Sequence, residues 1–305
     1  MKKCIKCVIG TRGSPLALKQ AHFVCDHILR KYPKADISLS IIQTTGDRLL
    51  KSALAIQDKG IFVKEIEEAL LAKKIDVAVH SLKDVPTEIP QGLEACIVLK
   101  RTESRDAFVS LKFQKIQDMP AGALLGTSSL RRKVQLRHFY PHLTVVDIRG
   151  NVDTRLRKLD QGVVQGLLLS AVGLERLNFQ NKIKEYLDFI PTVGQGVMVL
   201  ELRKEDLHLK EALSFLHDEK TAKAVFLERL FLKKMGGGCQ VPLGAYAQCE
   251  KKEFFMKAFI GSLDGKQILE HKVKGLFNNA EQIVDSLSQT LLRSGGKEIL
   301  EKVCP

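Results

Sequence analysis

The run Gly236-Gly237-Gly238-Cys239-Gln240-Val241-Pro242-Leu243-Gly244 puts one thiol on a loop that three glycines precede and a proline stiffens. Glycine has no Cβ, so such a backbone can pass close to a bulky group. A thiol presented this way can attack, ligate or carry a covalent attachment. A buried free cysteine beside a tight turn is the plain alternative. The rest of the chain weighs against that alternative, because arginines recur where anions bind. In Gly126-Thr127-Ser128-Ser129-Leu130-Arg131-Arg132, three hydroxyls stand at a helix start. Free backbone N–H groups and the positive end of the helix dipole attract anions there. Two arginines in that first turn are unfavourable unless an anion or a carboxylate compensates them. Arg12, Arg149 and Arg155 add further guanidinium forks, which pair bidentately with carboxylate or phosphate. The set implies a ligand with several negative groups.

Asp84, in Ser81-Leu82-Lys83-Asp84-Val85-Pro86, is the exception in sign. A loop salt bridge is the default for a lone aspartate beside a lysine. Among arginines it becomes a candidate for acid–base work or for stabilising a developing positive charge. Cys4-x-x-Cys7 runs into the first strand instead of following one, which argues against a redox motif. The histidines never cluster with the cysteines, so no metal site is expected.

Composition narrows the partner. With 48 Lys+Arg against 35 Asp+Glu, the net charge of +13 calls for nucleic acid, acidic lipid or a polyanionic small molecule. Fourteen Phe, four Tyr and no Trp are thin for a protein that stacks single-stranded bases. Seven scattered cysteines show no disulfide framework and point to a reducing compartment. No apolar run approaches the roughly 20 residues of a membrane span, and Met1-Lys2-Lys3 opens no signal peptide. A cytoplasmic protein is expected, binding neither nucleic acid nor membrane.

The elements that must position these residues alternate between strand and helix. Cys7–Ile9 reads as a strand, and Ser14-Pro15 opens a helix with an apolar stripe of Leu16, Leu18, Ala21, Val24, Ile28 and Leu29. Residues 37–43 and 76–80 read as strands around a helix over 60–74. A second cycle places strands at 122–126, 144–148 and 164–169, with helices at 129–138 and 151–159. A strand over 197–203 is expected to return to the first lobe. The polar stretches near 100–105 and 192–196 are the candidate crossings. After residue 219 a helix, three strands with an Asp264-Gly265 turn, and a closing helix over 280–293 form an α+β module. The fold class is therefore α/β: two similar doubly wound lobes with mostly parallel sheets and a cleft between them, plus a small C-terminal α+β domain. The expected division is 1–100 with 197–218, then 101–196, then 219–305. Ligands of such sheets bind at the carboxyl ends of the strands, where Arg12, Ser81–Asp84, Thr127–Arg132 and Arg149 all fall.

Taken together, these segments resemble the porphobilinogen deaminase (hydroxymethylbilane synthase) family. The matching runs are 10–17, Lys59-Gly60-Ile61-Phe62, His80–Pro86, Ser104-Arg105-Asp106-Ala107-Phe108, Gly126–Arg132, Arg149–Arg155, Val193-Gly194-Gln195-Gly196 and Gly236–Ala247, in the family's order over nearly the whole chain. The resemblance implies a covalent dipyrromethane cofactor, attached as a thioether to Cys239. It implies a transferase of haem and tetrapyrrole biosynthesis that condenses four porphobilinogen molecules with loss of ammonia, working as a monomer. It assigns Asp84 to catalysis. Lys83, Ser81, Thr127, Ser128, Ser129, Arg131, Arg132, Arg149 and Arg155 are assigned to the cofactor, and Arg12, Arg176 and Phe62 to substrate. Two segments depart from the family: 164–169 lacks its usual Tyr-Asp-Ala, and 197–203 lacks its usual small residue, glycine and cysteine. Two other classes compete on fold and charge alone. A two-lobed anion-binding protein would carry no pigment precursor and would not need Cys239. A nucleic-acid binder would want a basic stripe with interleaved aromatics.

Overall fold

A computed structural model describes residues 5–49, 60–236 and 241–303. Backbone contacts divide the chain into two units, residues 1–102 with 196–222 and residues 103–195 with 223–305. The chain passes from one to the other inside both polar stretches noted above.

The first unit is one five-stranded sheet with helices packed on it. β1 (Lys6–Arg12) leads into α1 (Pro15–Lys31), then β2 (Asp36–Ile42), α2 (Thr45–Leu49), α3 (Lys64–Leu71), β3 (Val77–Ser81) and β4 (Leu93–Val98). β10 (Met198–Arg203) and α7 (Leu207–Leu213) complete it after the second crossing. The strand order is β2-β1-β3-β10-β4. β1 runs parallel to β2 and β3, and β10 is antiparallel to both β3 and β4. The sheet is thus parallel except for the strand that re-enters from the other unit. Ser14 caps α1, its Oγ accepting from the Ala17 N–H at 3.3 Å, with Pro15 in the first turn. The buried face of α1 is Ala17, Gln20, Ala21, Val24, Cys25 and Ile28. This corrects the expected stripe, since Leu29 points outward and Gln20 goes in, its amide engaged by Ser81. α3 is also shorter than expected, because 60–63 form a turn that buries Ile61 and Val63.

The second unit repeats the pattern. β5 (Asp106–Val109), β6 (Leu124–Gly126), α4 (Leu130–Phe139), β7 (Thr144–Val146), α5 (Val152–Asp160), β8 (Gly166–Ser170), α6 (Ala171–Arg176) and β9 (Ile183–Leu187) follow in sequence. The order β7-β6-β8-β5-β9 mirrors the first sheet, and β5, the first strand after a crossing, is again the reversed one. α8 (Glu219–Lys234) begins at the end of the first unit. β11 (Leu243–Glu250), β12 (Glu253–Gly261), β13 (Ile268–Leu276), α9 (Ala280–Leu291) and α10 (Lys297–Glu301) then form an antiparallel three-stranded sheet with helices. The core of this part joins Leu227 and Phe231 of α8 to Ala245, Met256, Ala258 and Ile260 of the sheet and to Val284 and Leu291 of α9. Each large aliphatic buried there contributes roughly 1.5–3 kcal/mol. Gly265 turns the β12–β13 hairpin at φ +74°, a left-handed conformation that glycine adopts without strain. Gly236, at φ +87°, ends α8 in the same way before the cysteine loop. The departing segments pack as ordinary core: Leu167–Leu169 are buried in β8, and Met198, Leu200 and Leu202 in β10.

Candidate active site

In the first unit, the carboxyl ends of β1 and β3 open on a pocket of ≈ 40 Å³ walled by Arg12, Ser14, Gln20, Phe62, His80, Ser81 and Asp84, among others. Four of the expected site residues, Arg12, Phe62, Ser81 and Asp84, therefore meet in one place. Asp84 ends a 3-10 turn, Leu82–Asp84, that directly follows β3. The turn is anchored from beneath by buried Leu82 and Val85. No hydrogen bond or ion pair engages the Asp84 carboxylate among the described residues. It is half-buried and faces the pocket without a protein partner, which excludes the loop salt bridge.

Arg12 is held from two sides. Its Nη2 lies 2.6 Å from Asp47 Oδ1 and its Nε 3.2 Å from the same oxygen. Its guanidinium carbon sits 4.1 Å from the Phe62 ring centroid, a cation–π contact. Burial pushes the Asp47 carboxyl up, but Arg12 and the Thr44 hydroxyl outweigh it and hold it below the usual range. The Ser81 hydroxyl accepts from the Gln20 amide at 2.8 Å. Lys83 is half-buried on the same turn but is not part of the pocket wall.

In the second unit, the guanidinium groups converge on one buried carboxylate. Asp106 is fully buried at the start of β5. Arg131 Nη2 donates to its Oδ2 at 2.7 Å, and Arg132 Nη2 and Nε donate to its Oδ1 at 2.8 and 3.0 Å. Gln195 Nε2 adds a fourth bond at 3.0 Å. Burial alone would raise the Asp106 carboxyl, but the two arginines hold it far below the ordinary range. Arg131 also donates to Ile190 O at 2.9 Å and Arg132 to Leu168 O at 3.1 Å. The compensating carboxylate that two first-turn arginines demand is thus Asp106. Arg155 donates through Nε to Gly150 O at 2.7 Å. Burial, and then the charge of Arg132, bring its guanidinium down to about 10. Arg176, at the end of α6, is also brought down to about 10 by burial against the opposing pull of Glu175. Arg149 is exposed.

The hydroxyls divide. Thr127 is fully buried, and its Oγ1 accepts from the Ser129 N–H at 3.3 Å. Ser128 donates to Ile148 O at 2.9 Å. Ser129 is the N-cap of α4, yet its side chain makes no capping hydrogen bond. That helix start has unsatisfied N–H groups in its first turn and an available hydroxyl. Cys239 lies outside the described residues. Among those residues, no group of His, Cys, Asp or Glu is arranged to hold a metal ion, and no helix is long and apolar enough to cross a membrane. Asp47, Asp106, Gln20 and Gln195 escaped the sequence reading. Asp106 had a signal, a charged residue leading the apolar run Ala107-Phe108-Val109, since a charge in a strand interior needs partners.

Comparison with known proteins identifies the family of the chain. The family model "Porphobilinogen deaminase, dipyromethane cofactor binding domain" matches residues 7–211, and "Porphobilinogen deaminase, C-terminal domain" matches residues 222–293. The porphobilinogen deaminase of Pelobacter propionicus is 43% identical over 299 residues, 97% of this chain and 96% of that protein. Those of Desulforudis audaxviator and Syntrophus aciditrophicus are 44% and 41% identical, each over 97% of its own length and 97% and 96% of this chain. Among solved structures, the methionine-binding protein MetQ aligns with a TM-score of 0.46 at 12% identity, over 69% of this chain and 89% of that one.

Proposed function

The chain belongs to the porphobilinogen deaminase family, and from that premise we propose which of its residues carry the reaction. The enzyme is a transferase of tetrapyrrole and haem biosynthesis, hydroxymethylbilane synthase. It condenses four porphobilinogen molecules head to tail, releases one ammonia per step and frees the linear hydroxymethylbilane. A covalently held dipyrromethane supplies the ring position from which the chain grows.

Cys239 holds that cofactor as a thioether. The fit to a polycarboxylate rests on charge. Each of the two rings carries an acetate and a propionate, and the second unit pairs Arg131 and Arg132 with the Asp106 carboxylate while Arg155 meets the backbone oxygen of Gly150. Burial, and then the charge of Arg132, bring Arg155 down to about 10, and carboxylates of the cofactor would compensate that buried charge. Arg155 and Arg149, with the Ser129 hydroxyl and the start of α4, grip the cofactor carboxylates. Arg131, Arg132 and Thr127 hold that start in place, and Ser128 fixes it to the end of β7.

In the first unit, Arg12 receives a carboxylate of the incoming porphobilinogen, its planar group already aligned by Phe62 and Asp47. The family resemblance makes Arg176, brought down to about 10 by burial, a further candidate for a substrate carboxylate. Loss of ammonia leaves a cationic methylene-pyrrole. Asp84 accepts hydrogen bonds from pyrrole N–H groups and stabilises that cation; Ser81 and Lys83 steady the side-chain carboxylates. An aligned charge in a site that excludes water needs no reorganisation when the cation forms. The unpartnered Asp84 carboxylate beside Arg12 carries this reading. A cytoplasmic location and a monomeric state complete it. The scattered cysteines, which form no disulfide framework, support the location.

The test is Asp84→Asn. It should keep the cofactor mass and porphobilinogen binding while kcat drops on the order of 10²–10³-fold, since an amide cannot supply the charge. Near-parent turnover by a cofactor-loaded variant refutes the role.

A further inference from the structure

Beneath the Asp84 pocket, the first sheet buries a cluster of titratable groups that the roles above leave unused. His80, on β3, is one wall of the pocket, and its side chain is 3% exposed. Its Nε2 lies 3.0 Å from Oε2 of Glu201 on β10. The register brings them together: Val199 stands opposite His80, so Glu201, two residues on, is its diagonal neighbour on the same sheet face. Glu201 is fully buried, and its Oε1 has no hydrogen-bond partner among the described residues. Glu67, on α3, is 7% exposed, and its Oε1 likewise lacks a partner. Burial, then the charge of Glu201, lift Glu67 to about 7. Arg203, two residues beyond Glu201, is committed elsewhere, to Leu70 O, Ile75 O and Asp76.

A carboxylate that accepts from one imidazole nitrogen fixes the ring proton there and leaves the other nitrogen as the base. For His80, Glu201 holds Nε2–H, so Nδ1 is the basic atom. A proton arriving at Nδ1 turns a buried, uncompensated carboxylate into half of an ion pair.

We propose that His80, oriented by Glu201, is the base that removes the ring proton in each condensation, an inference that rests on the Asp84 pocket being the reaction site. In that step the carbon–nitrogen bond of the incoming unit has broken and ammonia has left. The free α-carbon of the growing chain bonds to the methylene carbon, and then carries both the new carbon–carbon bond and its hydrogen. His80 Nδ1 takes that hydrogen as a proton, and the C–H electron pair restores the pyrrole π-system. The imidazolium passes the proton to ammonia or water, so each cycle returns His80 to its starting state. Asp84 stays ionised throughout.

The experiment compares porphobilinogen with the same molecule deuterated at its free α-carbon, using the cofactor-loaded enzyme and its His80→Gln and Glu201→Gln variants. His80→Gln should lower kcat on the order of 10²-fold with little change in KM. Its deuterium isotope effect should exceed that of the parent, because proton loss has become the slow step. Native mass spectra of the variant with limiting substrate should show protein stalled with fewer than four added units. Glu201→Gln keeps the hydrogen bond and loses the charge, so it should show the same isotope signature with a smaller drop in rate. Parent-like turnover by His80→Gln, or slowed turnover with an unchanged isotope effect, overturns the proposal. Should His80→Gln fail to fold, an unchanged isotope effect in Glu201→Gln overturns it instead. A parent enzyme that makes no hydroxymethylbilane would sink the assignment of the reaction itself, a different result from either variant failing.

Discussion

Replacing Glu67 by Gln should stabilise the protein at pH 8 far more than at pH 5. A glutamate here ordinarily titrates at 4.5, and burial beside Glu201 lifts Glu67 to about 7. Between those values the folded chain keeps a proton that the unfolded chain has lost. Stability therefore falls as pH rises from about 4.5 to about 7, and levels off once both states are ionised. At roughly 1.4 kcal/mol per tenfold in proton affinity, the full lift corresponds to about 3 kcal/mol above pH 7. Glutamine has nearly the same shape and no charge to bury, so the variant should recover most of that at pH 8 and only a fraction at pH 5. The charges that act on Glu67 are Glu201 from the sheet and Glu68 on its own helix. Both remain in the variant, so the difference between the two proteins isolates Glu67. Urea unfolding followed by far-UV circular dichroism at pH 5, 6, 7 and 8 reads it out. If the midpoints of parent and variant run parallel across that range, Glu67 does not carry a displaced proton.

Asp106→Asn should destabilise the protein by about 3–5 kcal/mol, because it strands two buried guanidinium groups; thermal unfolding measures this. Asp106 sits below its ordinary value when folded, so its contribution is present above the unfolded pKa near ~3.9 and is lost as pH falls below it. The variant should therefore lose part of the parent's acid-unfolding limb. Arg12→Leu should leave the cofactor mass intact and stall addition of porphobilinogen, as counted by native mass spectrometry; normal elongation would show that Arg12 does not receive substrate. Cys239→Ala should lose both the cofactor mass and all activity, while a variant that keeps the adduct would place the attachment on another cysteine.

Much of the architecture was legible because period and capping agree along the chain. Ser14-Pro15 marks the start of α1, and Asp264-Gly265 marks the β12–β13 turn at the position expected. β10 was readable as a strand returning to the first sheet. β5 and β9 were missed as short strands, and β4 was missed although Pro90-Gln91-Gly92 turns the chain directly into it. The buried face of α1 was misjudged because a polar side chain, Gln20, finds a partner inside, which periodicity cannot foresee. Arg12, Arg131, Arg132, Arg149 and Asp84 could be named as candidates from their place at or just after strand ends, and Arg176 only from the family resemblance. Their partners could not, because Asp47 lies 35 residues from Arg12 and Asp106 lies 25 from Arg131. Pairing over such separations is settled by the fold. Glu201 stood in the apolar run Val197–Leu202, where a charge is itself a warning, but only the register set it against His80.

The intact mass of the purified protein, followed by peptide mapping before and after mixing with porphobilinogen, addresses the central claim most directly. The resting protein should be heavier than its sequence by a dipyrromethane, all of it on the peptide containing Cys239. Porphobilinogen should then add a ladder of up to four further pyrrole units on that same peptide, cleared as hydroxymethylbilane forms. A protein of unmodified mass that still converts porphobilinogen, or a ladder growing from a different residue, would contradict the account.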